Sequence, residues 1–447
     1  MLKNSYYNPN IIASLVKLGA PVVAANVGFV LMGLIDNAMV GKLGYVPLAA
    51  AGISNTAFFI ATIFGIGVLM VFSANIAAEQ TRKQAETESL IGASLIINVL
   101  VTVFTFLILL LIHHYFHIFG QTEAVNEAAL PYLKIVIYSS IPMFLFLTFK
   151  SVSDGHNLTK AAMYGTFLAL GLNVFLNWVL IFGNLGAPAY GLVGAGYATL
   201  TSRSFMAIFM LLYCVYHKKI VFYWTTFRTK IYQKHIKSLL ALGIPSGGQF
   251  FFEVSAFAGA AIIAGWIGEH ELAAHTVAIQ LAAFTYMFAS GISVAGMIKT
   301  GETWAQKKHQ KTLDIGRNTY FLVTFFMAIS AILFVLFRFP LVRLFSENIE
   351  VIAIASQLMI LAAFFQFFDG IQAVSLGLLR GMNDTKVPSY ITLAVYWAIA
   401  LPLAYWLGIH TDLKMTGVWI ALTLALILAS VFLYARFMNI TKRQLLH

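Results

Sequence analysis

Asp36, Glu253 and Asp369 are carboxylates placed where carboxylates are expensive. They sit inside the apolar runs GFVLMGLIDNAMVG, GGQFFFEVSAF and FFQFFDGIQAV, whereas nearly all the rest of the 17 acidic residues fall in polar stretches or at run ends. A charged side chain in the middle of a bilayer costs at least ~2.5–3.5 kcal/mol on insertion scales. Three such residues therefore call for a reason, and ion or proton coupling supplies one. A carboxyl group that alternates between its protonated and ionised forms can carry a proton. Joined to backbone and side-chain oxygens, it suits a hard cation such as Na⁺. The other role for a buried acid is structural, as partner to a basic or amide group. Asp36 lies nearer the end of its run, where that second role costs less.

Amides form the next set. Asn173 and Asn177 in GLNVFLNWVL are one helical turn apart and share a face. They are candidates for a polar focus around Asp36, or for plain helix-to-helix hydrogen bonding. Gln249 and Gln280 are further candidates for substrate or cavity contacts, and Gln366 is similar. Arg203 stands in mid-run, open to either a buried ion pair or a cavity-facing role. His113-His114-x-x-His117 resembles a metal cluster but reads better as a polar helix end. Cys214 is the single cysteine, so no intramolecular disulfide and no cysteine-based metal cluster is expected. The sequence has no phosphate-binding glycine loop, GxSxG elbow or HExxH pair. Neither an enzyme, nor a cofactor, nor transport driven directly by ATP within this chain is expected.

The elements that must position these residues follow from composition. Of 447 residues, 60% are hydrophobic and 10% charged, against about 25% charged in an ordinary soluble domain. That excludes a water-soluble globular enzyme. Twelve apolar stretches lie near 14–40, 48–75, 90–113, 130–152, 161–183, 190–216, 239–267, 272–298, 317–338, 351–379, 388–408 and 415–437. Most exceed the ~20 residues a spanning helix needs. None has the alternation of a transmembrane β-strand. The expected fold is an all-α integral membrane protein with twelve transmembrane helices. The amino-terminal MLKNSYYNPN is too polar for a cleaved signal peptide, so the mature chain is expected to start near Met1. The net charge of +11 need not signal nucleic acid. With the amino terminus cytoplasmic, the outer side holds only Lys42, Lys134, Arg338, Arg343 and Lys414, and most other basic residues fall inside. This asymmetry predicts both termini inside. The basic linker at 217–238 reads as a cytoplasmic connector attracted to anionic lipid.

A repeat organises the whole. Leu18-Gly19-Ala20-Pro21 recurs as Leu242-Gly243-Ile244-Pro245, Leu48-Ala49-Ala50 as Leu272-Ala273-Ala274, and Gly67-Val68 as Gly291-Ile292, all at an offset of 224 residues. Gly155-His156-Asn157-Leu158-Thr159-Lys160 matches Gly381-Met382-Asn383-Asp384-Thr385-Lys386 at an offset of 226. The expected domains are an amino-terminal six-helix lobe at 1–216, the linker at 217–238 and a carboxy-terminal six-helix lobe at 239–447. An even helix count gives the two bundles one orientation, so they are pseudo-symmetric about the membrane normal. That is a design for alternating access around a central cavity. None of the three acids is duplicated, so each half has its own polar focus. Pro21 and Pro245 hold equivalent places, as kinks of the repeat or as hinges.

Several segments together resemble the multidrug and toxic compound extrusion (MATE) family along essentially the whole chain. They are Asp36-Asn37-Ala38-Met39-Val40-Gly41 with Leu48-Ala49-Ala50, Glu253-Val254-Ser255-Ala256 with Leu272-Ala273-Ala274-His275, and Phe368-Asp369-Gly370-Ile371-Gln372 running into Leu379-Arg380-Gly381-Met382-Asn383-Asp384-Thr385-Lys386-Val387-Pro388. The bacterial NorM branch is the nearest in pattern. Glu253 and Asp369 occupy the acidic positions of its carboxy-terminal lobe associated with cation binding, and Asp36 corresponds to the amino-terminal acid of another branch. Met382 departs from the family, which more often has a second glycine near this place. The resemblance implies export of amphipathic or cationic drug-like compounds in exchange for Na⁺ or H⁺, by a monomer in the bacterial inner membrane. The partners it implies are small molecules and membrane lipid, without nucleic acid. A flippase of lipid-linked oligosaccharide, which would want a cavity lined with Arg or Lys, is the alternative. A non-transporting receptor or scaffold would leave the intramembrane acids unexplained.

Overall fold

Helices form because the apolar runs are long, and in hydrocarbon every backbone N–H and C=O must be satisfied within the segment. A computed structural model describes residues 7–79, 84–220 and 233–446, among which there are helices and no β-strand. The helices are α1 (Pro9–Gly41), α2 (Tyr45–Glu79), α3 (Gln84–His114), α4 (Glu123–Tyr138), α5 (Ser140–Gly155), α6 (Lys160–Phe182), α7 (Gly191–Tyr216), α8 (Gln233–Ile267), α9 (Glu269–Ala305), α10 (His309–Leu336), α11 (Arg338–Arg343), α12 (Ile349–Gly381), α13 (Lys386–Leu393), α14 (Leu401–Ile409) and α15 (Lys414–Leu446). They supply twelve stretches long and apolar enough to cross a membrane, and each apolar run of the sequence falls on one of them. The protein is an all-α, multi-pass membrane protein. Much of the basic linker, residues 221–232 with Arg228 and Lys230, lies outside the described residues.

Two spans are interrupted, each beside a proline. The fourth breaks at Ser139 between α4 and α5. Pro142, in the first turn of α5, has no N–H to offer the Tyr138 carbonyl. The Ser139 and Ser140 hydroxyls cover nearby carbonyls instead, donating to Val136 at 2.6 Å and Ile137 at 2.7 Å. The eleventh widens into a π turn over Ala394–Ala400, just before Pro402, which cannot donate to the Ala398 carbonyl. Such wide turns are rare and re-aim side chains.

By contact the chain divides into two units, Ala24–Gly247 and Gly248–His447 joined by the residues up to Val23. The start of α1 thus belongs with the carboxy-terminal unit, and the start of α8 with the amino-terminal one. In the first case Leu15 and Leu18 are buried with Ala295. The Asn8 backbone N–H donates to Asn318 Oδ1 at 2.9 Å, and a Cβ on Gly19 would stand 3.2 Å from the Gly291 carbonyl oxygen. In the second, Leu239 is buried in the amino-terminal core. Lys234 and His235 pair with Glu86 at 2.9 and 3.0 Å, and a Cβ on Gly243 would stand 3.1 Å from the Val68 carbonyl oxygen. Both changeovers fall two residues past the repeated prolines, Pro21 and Pro245.

The repeat is visible in matched detail. Asn157 and Asn383 adopt φ of 60° and 61° in equivalent turns, a left-handed conformation that Asn tolerates better than most residues. Leu158 N–H donates to Ser153 at 3.0 Å where Asp384 N–H donates to Leu379 at 2.9 Å. A Cβ on Gly155 would lie 2.9 Å from the Ser73 carbonyl oxygen, and one on Gly381 2.6 Å from that of Met297. Those four positions are related by the two sequence offsets.

Candidate functional site

In the amino-terminal unit, α1, α6 and α7 bring Asp36, Asn173, Asn177 and Thr199 together. Asp36 is half-buried and the other three are buried. Asn177 Nδ2 donates to Asp36 Oδ1 at 2.5 Å, and Thr199 Oγ1 to Asp36 Oδ2 at 3.2 Å. Asn177 also donates to Asn173 Oδ1 at 3.2 Å across one helical turn. Among the described residues, Asn173 Nδ2 and Asn177 Oδ1 are buried without a close hydrogen bond, Asn173 interacting with Asp36 at longer range. A donor and an acceptor side by side match a group that both accepts and donates, such as water or a hydroxyl.

Arg203 stands one turn beyond Thr199 on α7 and completes the focus. Its Nη1 donates to Ser139 Oγ at 2.6 Å, at the break in the fourth span, and its guanidinium lies over the Phe58 ring at 4.8 Å. It interacts electrostatically with Asp36 without touching it. Tyr132 on α4 donates its hydroxyl to Asn55 Oδ1 at 3.1 Å.

In the carboxy-terminal unit, α8 and α12 face one another with Glu253, Asp369 and Arg380, all buried. Gln249 and Glu253 are one turn apart on α8. Asp369 and Arg380 are separated by eleven residues, three helical turns, and so share a face of α12. Glu253 accepts from Gln372 Nε2 at 2.9 Å and from Gln249 Nε2 at 3.4 Å. Arg380 Nη2 donates to Gln249 Oε1 at 2.6 Å, and its guanidinium lies 4.8 Å over Phe250. The Gln372 carbonyl accepts from Tyr396 at 3.1 Å, a residue carried by the π turn. Asp369 feels the charge of Glu253, yet its carboxylate accepts no side-chain hydrogen bond among the described residues.

Of the residues singled out in the sequence, Asp36 with Asn173 and Asn177 form one focus, and Glu253 with Asp369 and Gln249 the other. Gln280 is exposed on α9 and is in neither. Gln366 is buried one turn before Asp369, its Oε1 accepting from Thr285 at 2.7 Å. Arg380, Gln372, Tyr396 and Thr199 were not singled out. Arg380 and Gln372 stand inside the family-like segment around Asp369, and Thr199 is one turn from Arg203; those were the available signals. His113 bonds the Leu130 carbonyl at 3.2 Å, as a polar helix end does.

Residues 21–179 and 245–406 match the MatE family. The multidrug resistance protein NorM of Vibrio cholerae is 32% identical over 433 residues, covering 95% of this chain and 94% of that protein. The NorM of Aliivibrio fischeri is 32% identical over 441 residues, with 95% and 94% covered. A solved structure described as an outward-facing multidrug resistance MATE family transporter of the MOP superfamily superposes with a TM-score of 0.90 over 97% of this chain and 96% of that one, at 20% identity. A MOP superfamily transporter from Pyrococcus furiosus gives 0.89 over 97% and 96%, also at 20% identity. These structures share the fold, and the family-matched segments include Asp36, Asn173, Asn177, Glu253 and Asp369, while Thr199 and Arg203 lie outside them. The chain belongs to the MatE family.

Proposed function

We propose that this protein is a secondary active exporter of amphipathic, often cationic organic compounds, driven by inward Na⁺ or H⁺ through alternating access. As a member of its family it is a transporter rather than an enzyme. The observation that carries the reading is the Glu253–Asp369 pair. It sits inside a membrane-spanning unit, one acid held by two amides and the other without a side-chain hydrogen-bond donor among the described residues. A buried carboxylate left so is costly unless an exchangeable positive charge visits it. Ion at this pair favours one facing state and drug the other, and the ion acts only through that difference in affinity. Asp36 with Asn173 and Asn177 forms a second polar focus, for protons or for polar groups of the drug. The excess of Lys and Arg on one side supports both termini in the cytoplasm, in a protein that works as a monomer in the bacterial inner membrane. Gln249 acts here by holding Glu253, and Gln280, being exposed, is kept as a substrate contact.

Dye efflux from cells carrying Glu253→Gln, Asp369→Asn or Asp36→Asn tests the coupling. Loss of efflux at normal expression in the first two is expected, and undiminished efflux in all three would sink the proposal. Reconstituted vesicles given either a Na⁺ or a proton gradient identify the ion.

A further inference from the structure

Between α10 and α15, over α12, lies an open groove of about 240 Å³. It exists because two small residues, Thr324 and Ser430, stand among the larger Tyr320, Phe368 and Tyr434. The two flanking helices run in opposite directions here. A Cβ on Gly316 would meet the Phe437 ring, and Tyr320 packs edge-on against Tyr434 at 4.9 Å. At the rim, Val431 and Tyr434 are 54% and 43% exposed, and the exposed Phe321, Phe325 and Phe432 continue the apolar surface on either side. All of these residues belong to membrane-spanning helices, so the medium that meets the groove is lipid hydrocarbon. The buried hydroxyls of its wall are already spent: Tyr320 bonds Ser375 Oγ at 2.8 Å, and Ser430 donates to the Ile427 carbonyl at 2.9 Å. Such a wall suits an occupant that asks for no polar partner.

Basic residues gather at one end of the groove. Arg317 stands one turn before Tyr320 on α10, and the exposed Lys442 lies eight residues beyond Tyr434 on α15, about 12 Å along the axis. The opposed directions of the two helices bring both to the same end. Two acids stand there as well: Asp314, which accepts from the Gln310 amide at 3.0 Å, and Asp384, already paired with Arg436. The first half of the chain is bulkier at the equivalent places. The offsets of 224 and 226, which align Gly92 with Gly316 and Ser204 with Ser430, set Leu100 against Thr324 and Phe205 against Val431. We propose that the groove binds one acyl chain of an anionic phospholipid, whose headgroup is held by Arg317 and Lys442. Each basic residue near the membrane surface favours an anionic headgroup about fivefold. The site is separate from both acidic foci and stands whichever ion drives transport.

Photolabelling of the purified full chain in nanodiscs tests it. The discs hold phosphatidylethanolamine with a small fraction of phosphatidylglycerol or phosphatidylethanolamine carrying a mid-chain diazirine, and labelled peptides are mapped by mass spectrometry. The phosphatidylglycerol label is expected to concentrate within a turn of Thr324 and Val431, at least fivefold above the equivalent stretch of α3 around Leu100. Thr324→Leu with Val431→Phe, which installs the residues of the first half, is expected to bring the groove down to the level of α3. Should that pair not fold, Val431→Phe alone, on the exposed rim, is expected to lower the label at least threefold. Arg317→Gln with Lys442→Gln is expected to remove the advantage of phosphatidylglycerol over phosphatidylethanolamine. Equal labelling of α3 and α10, or a groove label unmoved by the filling substitutions, overturns the inference. No preference for phosphatidylglycerol in the wild type overturns the headgroup assignment. Loss of the groove label on adding the cationic dye rhodamine 6G, with the label elsewhere unchanged, gives the groove to a drug-like cation and overturns the lipid as its occupant.

Discussion

Asp36 is held by two donors of unequal quality, Asn177 at 2.5 Å and Thr199 at 3.2 Å. A hydrogen bond to a charged group contributes about 1.5–3 kcal/mol, so Asn177→Ala should cost more than Thr199→Val in thermal unfolding and in efflux. The reverse order would show that Asp36 is oriented from α7. In the other focus, Gln372→Leu removes the 2.9 Å donor to Glu253 and strands the Tyr396 hydroxyl at once. Its coupling-ion affinity should fall about tenfold or more, as expected from losing a bond of this kind, whereas Tyr396→Phe alone should change it less. Ion-dependent efflux in the two variants checks the order. The acids were legible in the sequence because polar residues inside apolar runs stand out against their surroundings. Arg380 was not, because at the end of α12 it looks like a basic residue answering the helix dipole. Only the fold turns it towards Gln249. Duplication hides it further: the equivalent residue in the first half is Asp154, which pairs with Lys150 at 2.8 Å.

Helix ends show what the duplicated pattern requires of single elements. The turns after α5 and α12 seat a glycine against a carbonyl of the second helix of the same repeat, and neither site has room for a methyl group. Gly155→Ala and Gly381→Ala should each destabilise by about 1–3 kcal/mol, read as a lower unfolding midpoint in detergent. Equal behaviour at the two sites is expected from their geometry, and tolerance at both would mean that the turns yield easily. The first turn also carries His156, outside the spans, with Nδ1 2.8 Å from the Val152 carbonyl. Burial, with His217 nearby, holds its pKa below the usual histidine value. The unfolded chain therefore binds the proton first, and the stability this residue contributes is full above about pH 6.5 and lost as pH falls through that range. The unfolding midpoint should drop between pH 7.5 and 5.5, and His156→Asn should shrink the drop. Helix existence was legible from the length of the apolar runs. The break at Ser139 and the π turn before Pro402 were not, because a proline in a long run reads equally as a kink or as continuing helix.

At the scale of the molecule, sequence similarity and contact draw different lines. The repeat aligns α1 with α8 from their first residues, but contact assigns the start of each to the opposite half. Periodicity could not show this, since an apolar helix start is equally at home against either bundle. A chain severed in the linker at 217–238 should therefore still assemble when both fragments are co-expressed and should copurify. Deleting residues 1–23 from the first fragment should weaken that association and destabilise the second, as judged by yield and proteolysis. Fragments that fold separately and do not associate would contradict the exchange. The same feature sets a clock on synthesis. Gly19 is made early, but its packing partner Gly291 emerges roughly 270 residues later, which at ~5–20 residues per second is tens of seconds. Through that interval the start of α1 is without its partners Gly291, Ala295 and Asn318, so whatever inserts this protein must keep its first helix in waiting until the second half arrives.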